Sequence, residues 1–301
     1  MWSRLSTYRV LTIALFLCLS LCRLSFAGSL YSLSNSWEHA RERLTYLENY
    51  SNPYTFEILE KADIQPGWHC LDAGAGLGGI TRWLAEKVGV EGSVDALDIE
   101  PHFLREIPDS NVNVLEQDLV TDDLSEATYD FIFARNVLMH IPEREQVIQK
   151  FVHALKPGGL LITEDSARLP LDASIPDLSK DSAMNTMMHS ILTSLEQATN
   201  ISFLSAYESP KYFVKTGLVN VTGSASAYFP ASSTDMAHML LNFKQLKPVF
   251  IQAGYDEAVY DRLVQTIEQN TAHWRGAQVA TIGYKPAKTE TANTVLYNLI
   301  H

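Results

Sequence analysis

The sequence predicts an α/β fold built on a doubly wound, mostly parallel sheet, and three observations support this prediction. Short apolar segments alternate with segments of helical periodicity between residues 68 and 164, which is the pattern of successive βαβ units. Most apolar segments are hydrophobic on consecutive residues, as expected for strands that helices cover on both faces. The first of them leads directly into a glycine-rich loop and then a helix. The 301 residues are enough for one large domain of this kind or two small ones.

The composition indicates a globular chain that buries a core. Hydrophobic residues make up 46% and charged residues 19% of the chain, which excludes an intrinsically disordered protein. With 23 Lys and Arg against 35 Asp and Glu, the net charge is −12, so nucleic acid is not expected as a partner. Cys18 and Cys22 lie in an N-terminal apolar segment, which leaves Cys70 alone in the body of the chain. We therefore predict no disulfide framework and no metal site.

Residues 1–27 have the pattern of a signal peptide or an N-terminal anchor. Arg4 and Arg9 precede the apolar segment Val10–Cys22, and small residues at Ser25 and Ala27 suit a signal peptidase. The apolar segment is short for a spanning helix, which needs about 20 residues. We expect entry into the secretory pathway and a periplasmic or secreted mature chain. The alternatives are a membrane-anchored or cytoplasmic protein, and membrane contact is expected only if the leader stays uncleaved.

Residues 28–65 are predicted to form an N-terminal helical cover, and residues 66–165 an alternating core. Two helices are expected in the cover, one from Ser36 to Tyr50 and one that begins at Pro53 and ends at Ala62. The elements expected in the core are strand Trp68–Ala73, helix Ile80–Val88, strand Ser93–Asp98, helix Pro101–Ile107, strand Val112–Glu116, strand Tyr129–Ala134, helix Glu143–Leu155 and strand Leu160–Glu164.

Residues 166–285 are less regular, and we assign them to helical insertions, to the last two strands and to substrate recognition. A tail follows at 286–301. A helical segment contains Met184, Met187 and Met188, which favour core packing over a substrate pocket. The other predicted elements are helix Thr234–Ala253, helix Glu257–Asn270, strand Val219–Gly223 and strand Gln278–Tyr284.

The glycine loop after the first strand fits two kinds of ligand. Gly74, Gly76 and Gly79 have the dinucleotide spacing, and Asp98 ends the next strand about 20 residues further on, which fits NAD. The same segment also places Asp72 before the first glycine. A carboxylate there would repel a pyrophosphate, whereas it would favour a ligand that bears an ammonium group and no phosphate.

Five segments, in this order, resemble class I S-adenosylmethionine-dependent methyltransferases of the small-molecule type: LDAGAGLGG at 71–79, ALDIEP at 96–101, EQDL at 116–119, YDFIFARNVLMHIPE at 129–143 and LKPGGLLITE at 155–164. The resemblance implies a Rossmann-like sheet of seven strands with an antiparallel last strand. It also implies S-adenosylmethionine as cofactor, and methyl transfer to a small or medium-sized, partly apolar molecule.

The resemblance further implies residues for the methionine part of the cofactor. Gly74, Gly76 and Gly78 would let the loop fold beneath the methionine part, with Asp72 close to its ammonium group. The end of the fourth strand would lie beside the methionine chain and the transferred methyl group, through Ala134, Arg135 and Asn136.

The nucleoside part is implied to contact four residues. Asp98 would accept hydrogen bonds from both ribose hydroxyls, and Ile99 would pack on the adenine. Asp118 would accept from the adenine amino group, with Leu119 against the other ring face. We expect Asp98 to have no protein partner on which folding depends.

Each of these assignments has a structural alternative. The alternative for Asp72 is to cap the helix that follows it. The alternative for Asp98 is a position beside a helix N-cap, and the alternative for Asp118 is a turn. Arg135 is equally suited to an ion pair with Glu164 or Asp165.

No general base is identifiable from the sequence, and His140 and Glu164 are weak candidates for catalysis. Packing or capping is the structural alternative for His140. Two other functions stay open: a catalytically silent, methyltransferase-like ligand-binding protein, and an NAD-dependent oxidoreductase. The leader favours the silent binding protein, because S-adenosylmethionine is made in the cytosol and would be scarce outside it.

Overall fold

The computed structural model describes residues 32–167, 193–228, 237–269 and 276–287. The predicted leader, the segment around Met184–Met188 and residues 288–301 of the tail lie outside these ranges. Within the described ranges, none of the helices combines the length and the apolar character that crossing a membrane requires.

Six helices in the described ranges carry labels here: α1 Ala40–Lys61, α2 Gly79–Val88, α3 Arg144–Ala154, α4 Ser205–Lys215, α5 Ala237–Gln252 and α6 Glu257–Gln269. Residues 193–198 are also helical. Two 3₁₀ helices follow strand ends, Pro101–Glu106 and Leu138–His140. The strands are β1 His69–Ala73, β2 Ser93–Asp98, β3 Val112–Glu116, β4 Tyr129–Arg135, β5 Leu155–Ala167, β6 Val219–Tyr228 and β7 Gly276–Tyr284.

All seven strands form one sheet in the order β3-β2-β1-β4-β5-β7-β6. The strands β1 to β5 pair in parallel, and β7 is antiparallel to both β5 and β6. The chain reverses its direction across the sheet between β1 and β4, which both lie at the centre. The predicted fold class is confirmed, including the antiparallel last strand.

Consecutive apolar residues of the central strands pack on opposite faces of the sheet. Phe131 and Phe133 of β4 pack with Leu84 of α2 on one face, and Ile132 packs with Phe151 of α3 on the other. This alternation follows from the two-residue period of a strand. Helices cover both faces, which explains why the strands are apolar throughout rather than at every second position.

The N-terminal helix differs from the prediction. A single helix, α1, runs through Pro53, and it begins at Ala40 rather than Ser36. Proline lacks the N–H for one helical hydrogen bond, but Ile58 and Leu59 beyond it are buried in the core. Packing of this apolar face keeps the helix continuous, because tertiary contacts outweigh a local helix breaker.

Three further elements differ from their predicted form. Strand β6 continues to Tyr228 and does not end at Gly223, because β7 pairs with it over that length. The segment predicted as a helix at Pro101–Ile107 is a 3₁₀ helix ending at Glu106. Strand β5 extends well beyond Leu160–Glu164, because β7 pairs with it from Leu160 to Ala167. The antiparallel partner thus continues the strand past the point where its apolar pattern ends.

Candidate functional site

The glycine loop begins at the carboxyl end of β1, at the centre of the sheet, where open α/β sheets bind ligands. Gly74, Gly76 and Gly78 all have positive φ, of 74°, 59° and 78°, a conformation that other residues adopt at a cost. Close packing adds a second requirement. A Cβ atom on Gly74 would lie 2.2 Å from Cγ2 of Val137, and one on Gly78 would lie 2.4 Å from Cδ1 of Ile107.

Asp72 lies at the base of this loop and is only 3% exposed. Its Oδ2 accepts a hydrogen bond of 2.6 Å from the Thr81 hydroxyl, so it bonds to a side chain of α2 rather than capping the helix backbone. Burial raises the pKa of Asp72 to about 6, the Thr81 hydroxyl and Arg135 oppose this shift, and Glu48 adds to it. Asp72 is therefore ionised at neutral pH and titrates near it.

Asp98 has two protein partners, which corrects the expectation that it has none. Its Oδ2 accepts from the amide of Gly76 and its Oδ1 accepts from the amide of Glu100, both at 2.9 Å. The side chain is 7% exposed, and burial raises its pKa while the two amides oppose the shift. Asp98 therefore fixes the glycine loop to the end of β2, in addition to the ribose contact that the family resemblance implies.

The loop after β3 lies beside the end of β2, because the amide of Gln117 donates to the Asp98 carbonyl at 3.3 Å. Asp118 forms the turn that was its structural alternative: its Oδ1 accepts from the amide of Val120 at 2.8 Å. Leu119 is buried in the core. Ile99, after β2, is 38% exposed, as a residue that packs on a ligand can be.

At the carboxyl end of β4, Arg135 contacts helix α1. Its Nη1 donates to Oδ1 of Asn52 at 2.8 Å and to the Thr55 hydroxyl at 2.9 Å. Ala134, one residue earlier, is buried and pairs with Thr163 of β5. The guanidinium thus joins α1 to the sheet.

Asn136 follows Arg135 with a left-handed φ of 53°. The backbone N–H of Asn136 donates to the Glu164 carbonyl at 2.7 Å. Its side-chain Oδ1 accepts from both the backbone N–H and the hydroxyl of Ser166. Its Nδ2 is buried and has no hydrogen-bond partner. A buried donor without a partner is costly, so this amide group is suited to a ligand that supplies an acceptor.

Glu164, three residues before the end of β5, is 0% exposed and accepts from the Thr55 hydroxyl at 2.9 and 3.1 Å. Burial raises its pKa to about 7, while Arg135 and Thr55 oppose the shift. The predicted interaction between Arg135 and Glu164 is thus electrostatic, with Thr55 hydrogen-bonded to both. Burial also raises the pKa of Asp165 to about 7. The Oδ2 of Asp165 accepts a hydrogen bond from the Ser205 hydroxyl at 3.2 Å, rather than from Arg135.

His140 lies at the end of a 3₁₀ helix beyond β4. Burial and the nearby Arg43 lower the pKa of His140 to about 4. Its imidazole is therefore neutral at physiological pH, the state in which it can accept a proton. Packing and the candidate catalytic role are both compatible with this position.

Three residues of α1 contact the site and were missing from the sequence prediction: Glu48, Asn52 and Thr55. Glu48 Oε1 accepts from the amide of Gly79, the first residue of α2, at 2.8 Å. Helical periodicity places residues 48, 52 and 55 on one face of a helix. That spacing was the available signal, but it does not specify which face contacts the sheet.

These features define a domain of the class I methyltransferase fold, with a glycine loop flanked by carboxylates. Residues 71–161 match the family model described as a methyltransferase domain. The matched segment begins in β1 and ends in β5, so it contains the glycine loop and the ends of β2 and β4. The predicted resemblance to class I S-adenosylmethionine-dependent methyltransferases is confirmed by this match.

Two curated relatives that match the chain are phosphoethanolamine N-methyltransferases. The Caenorhabditis elegans phosphoethanolamine N-methyltransferase 2 is 36% identical over 114 residues, which are 35% of this chain and 26% of the relative. The Arabidopsis thaliana phosphoethanolamine N-methyltransferase 1 is 32% identical over 122 residues, 38% of this chain and 24% of the relative. The chain spans about a quarter of the length of these relatives.

Similarity to solved structures extends beyond the matched segment. A Bacillus halodurans protein assigned as a methyltransferase superposes with a TM-score of 0.50 and 15% sequence identity. The superposition covers 77% of this chain and 98% of that protein. At this identity the similarity shows that the two chains share a fold.

Proposed function

We propose that the chain transfers a methyl group from S-adenosylmethionine to a small molecule. The observation that carries the proposal is the pair of carboxylates at the glycine loop. Asp72 and Asp98 are both more than nine-tenths buried there, and Asp98 is bonded to the loop itself. Carboxylates accept from ammonium and hydroxyl groups, which S-adenosylmethionine carries on its methionine and ribose parts.

The chain's residues fit this cofactor along its length. We assign Asp98, at the end of β2, to the ribose hydroxyls, and Ile99 and Asp118 to the adenine, as the family resemblance implies. Asp72 provides a negative charge close to the loop. When bound, S-adenosylmethionine supplies a methyl group already activated on a sulfonium, so the protein has to position the acceptor and exclude water. Positioning alone can lower a barrier by about 7–11 kcal/mol.

The acceptor is proposed to bind at the carboxyl ends of β4 and β5. The unpartnered Nδ2 of Asn136 is a donor for an acceptor oxygen. His140 stays a weak candidate for the general base, because its lowered pKa of about 4 makes it a poor proton acceptor. Glu164 is less suited to be the base, because Thr55 and Arg135 engage it. The matched relatives are named for phosphoethanolamine, so small amines are the first acceptors to examine. Partly apolar molecules remain our broader expectation.

Calorimetry of the full chain with S-adenosylmethionine, S-adenosylhomocysteine and NAD tests the cofactor. We expect both sulfur nucleosides to bind and NAD not to bind; the reverse result would contradict the proposal. Transfer of a radiolabelled methyl group to a panel of small amines, phosphoethanolamine among them, then tests catalysis. A chain that binds S-adenosylmethionine but labels no acceptor would instead support the silent binding protein. The secretory leader stays a prediction.

A further inference from the structure

We infer that Glu48 is a specificity determinant that excludes phosphate-bearing nucleotides from the cofactor site. This inference rests on the proposed function, because it concerns the selectivity of the same site. Glu48 lies on α1, outside the segment 71–161 that matches the methyltransferase domain model. Its carboxylate accepts from the backbone amide of Gly79 at 2.8 Å.

The amide that Glu48 occupies belongs to the N-terminus of α2. The first amides of a helix have no partner within the helix, and with the helix dipole they attract anions. In dinucleotide-binding folds this N-terminus, after a glycine loop, holds the pyrophosphate. Here the helix begins at Gly79, and its N-cap residue, Gly78, supplies no side-chain cap. Glu48 takes the place of the missing cap, so a phosphate would have to displace it.

The glycine at position 79 lies in close contact with the Glu48 carboxylate. Its φ is not positive, so the backbone conformation alone does not require glycine. A Cβ atom at Gly79 would lie 2.6 Å from Oε1 and 2.7 Å from Cδ of Glu48. In the dinucleotide fingerprint the third glycine allows close packing of helix and strand. In this chain the glycine at that position lies against the Glu48 carboxylate, which would have to shift if a larger residue replaced the glycine.

The charges around the loop point the same way. Glu48 and Asp98 both act on Asp72 as like charges, and Arg135 is the opposing cation. The Arg135 guanidinium is hydrogen-bonded to Asn52 and Thr55 of α1. A phosphate group at the loop would therefore meet three carboxylates, while a ligand with an ammonium group would be attracted.

A charge-neutral variant of the full chain, Glu48→Gln, tests this role. The matched control is Glu57→Gln, which makes the same change of charge at an exposed position of the same helix α1. Calorimetry at one ionic strength would measure the dissociation constants of ADP, adenosine and S-adenosylmethionine for both variants and the wild type. We expect Glu48→Gln to bind ADP about 10-fold more tightly than the wild type, since one unit charge across several ångströms is worth about that factor. Adenosine binding should stay within about twofold in both variants, and Glu57→Gln should leave ADP binding unchanged.

Two outcomes would overturn the inference: unchanged ADP affinity in Glu48→Gln, or the same gain in Glu57→Gln. A gain for adenosine as large as that for ADP would also overturn it, because the effect would then not depend on phosphate. The proposed function fails separately, if the wild type does not bind S-adenosylmethionine. In that case the comparison of ADP binding between the two variants still decides the role of Glu48.

Discussion

The segment from β1 to β5 and the helix α1 reach the same site by different chemical means. The first contributes loop backbone, such as the positive-φ glycines and the carbonyl of Leu97, which accepts from the Gly74 amide at 2.7 Å, together with side chains close to its strand ends, such as Asp72 and Asp98. The second contributes side chains: Glu48 to the start of α2, and Asn52 and Thr55 to Arg135. Backbone geometry leaves a recognisable motif, whereas side-chain contacts from a separate helix do not.

The difference suggests a division of roles. We propose that the motif segment forms the surface that a ligand contacts, while residues of α1 hold the start of α2 and the Arg135 guanidinium in place. Variants that break contacts between the two regions should then affect stability strongly. Variants within the motif segment should affect both affinity and stability.

The largest effect is expected for Arg135→Met, which removes the cation joining the two regions. Glu164 and Asp72 would both lose a favourable charge interaction, and Asn52 and Thr55 would lose a donor. We expect the free energy of unfolding at pH 8 to fall by about 2–4 kcal/mol. Chemical denaturation measures this. The control Arg105→Met breaks an exposed ion pair with Glu116 and should cost under about 1 kcal/mol. Equal losses in the two variants would contradict this role of Arg135.

Asp98→Ala should have the next largest effect, and it should act on two properties. We propose that Asp98 accepts from the ribose hydroxyls, and on that proposal its removal should raise the dissociation constant for S-adenosylhomocysteine about 10- to 150-fold. The amides of Gly76 and Glu100 would also lose their acceptor, which should lower the free energy of unfolding by about 1–3 kcal/mol. Titration and thermal unfolding of the same variant measure both. Lower stability with unchanged affinity would remove Asp98 from the cofactor site.

The smallest effect is expected for Thr55→Val, and it should depend on pH. Because the pKa of Glu164 is raised by folding to about 7, the folded protein binds its proton more tightly than the unfolded chain. Stability therefore falls as pH rises through about 7. The Thr55 hydroxyl favours the charged form of Glu164, so its removal should raise the pKa further and extend this fall to higher pH. We expect a loss of about 1 kcal/mol at pH 8 and less at pH 5.

The matched control for that variant is Thr45→Val. Both hydroxyls donate to the carbonyl four residues earlier in α1, at Arg41 and Ser51, but Thr45 is exposed. Denaturation of both variants at pH 5 and pH 8 separates the shared contact from the contact with Glu164. A Thr55→Val loss that does not change with pH would argue against a charged Glu164 bonded to Thr55.

The sheet could be predicted from the sequence because burial on both faces makes its strands apolar at consecutive positions. Strands β2 and β3 match their predicted bounds, and β1 and β4 differ by one residue. The continuity of α1 through Pro53 could not be predicted, since it depends on the packing of Ile58 and Leu59. The same is true of the carboxyl end of β5, which the pairing with β7 extends to Ala167.

The site could be predicted where the chemistry lies in a local motif and not where it depends on contacts between distant residues. The glycine loop and Asp72 are adjacent in the sequence, and they are adjacent in space. Glu48 is 31 residues from the amide it binds, and nothing in its local sequence distinguishes it from an exposed glutamate. The two amide partners of Asp98 likewise depend on how the loop folds back over β2.

The position of β7 constrains the order in which the molecule is completed during synthesis. Tyr284 at its end pairs with Leu160 of β5 on one side and with Val219 of β6 on the other. The strands β1 to β5 are neighbours of one another in the sheet, so they can assemble as soon as the ribosome has released them. β6 has no neighbour in the sheet until residues 276–284 follow it. Until then both β5 and β6 keep an unpaired edge, the kind of surface on which nascent chains associate wrongly. The closing step is a long-range pairing that spans more than a hundred residues, which makes it slow relative to local helix formation.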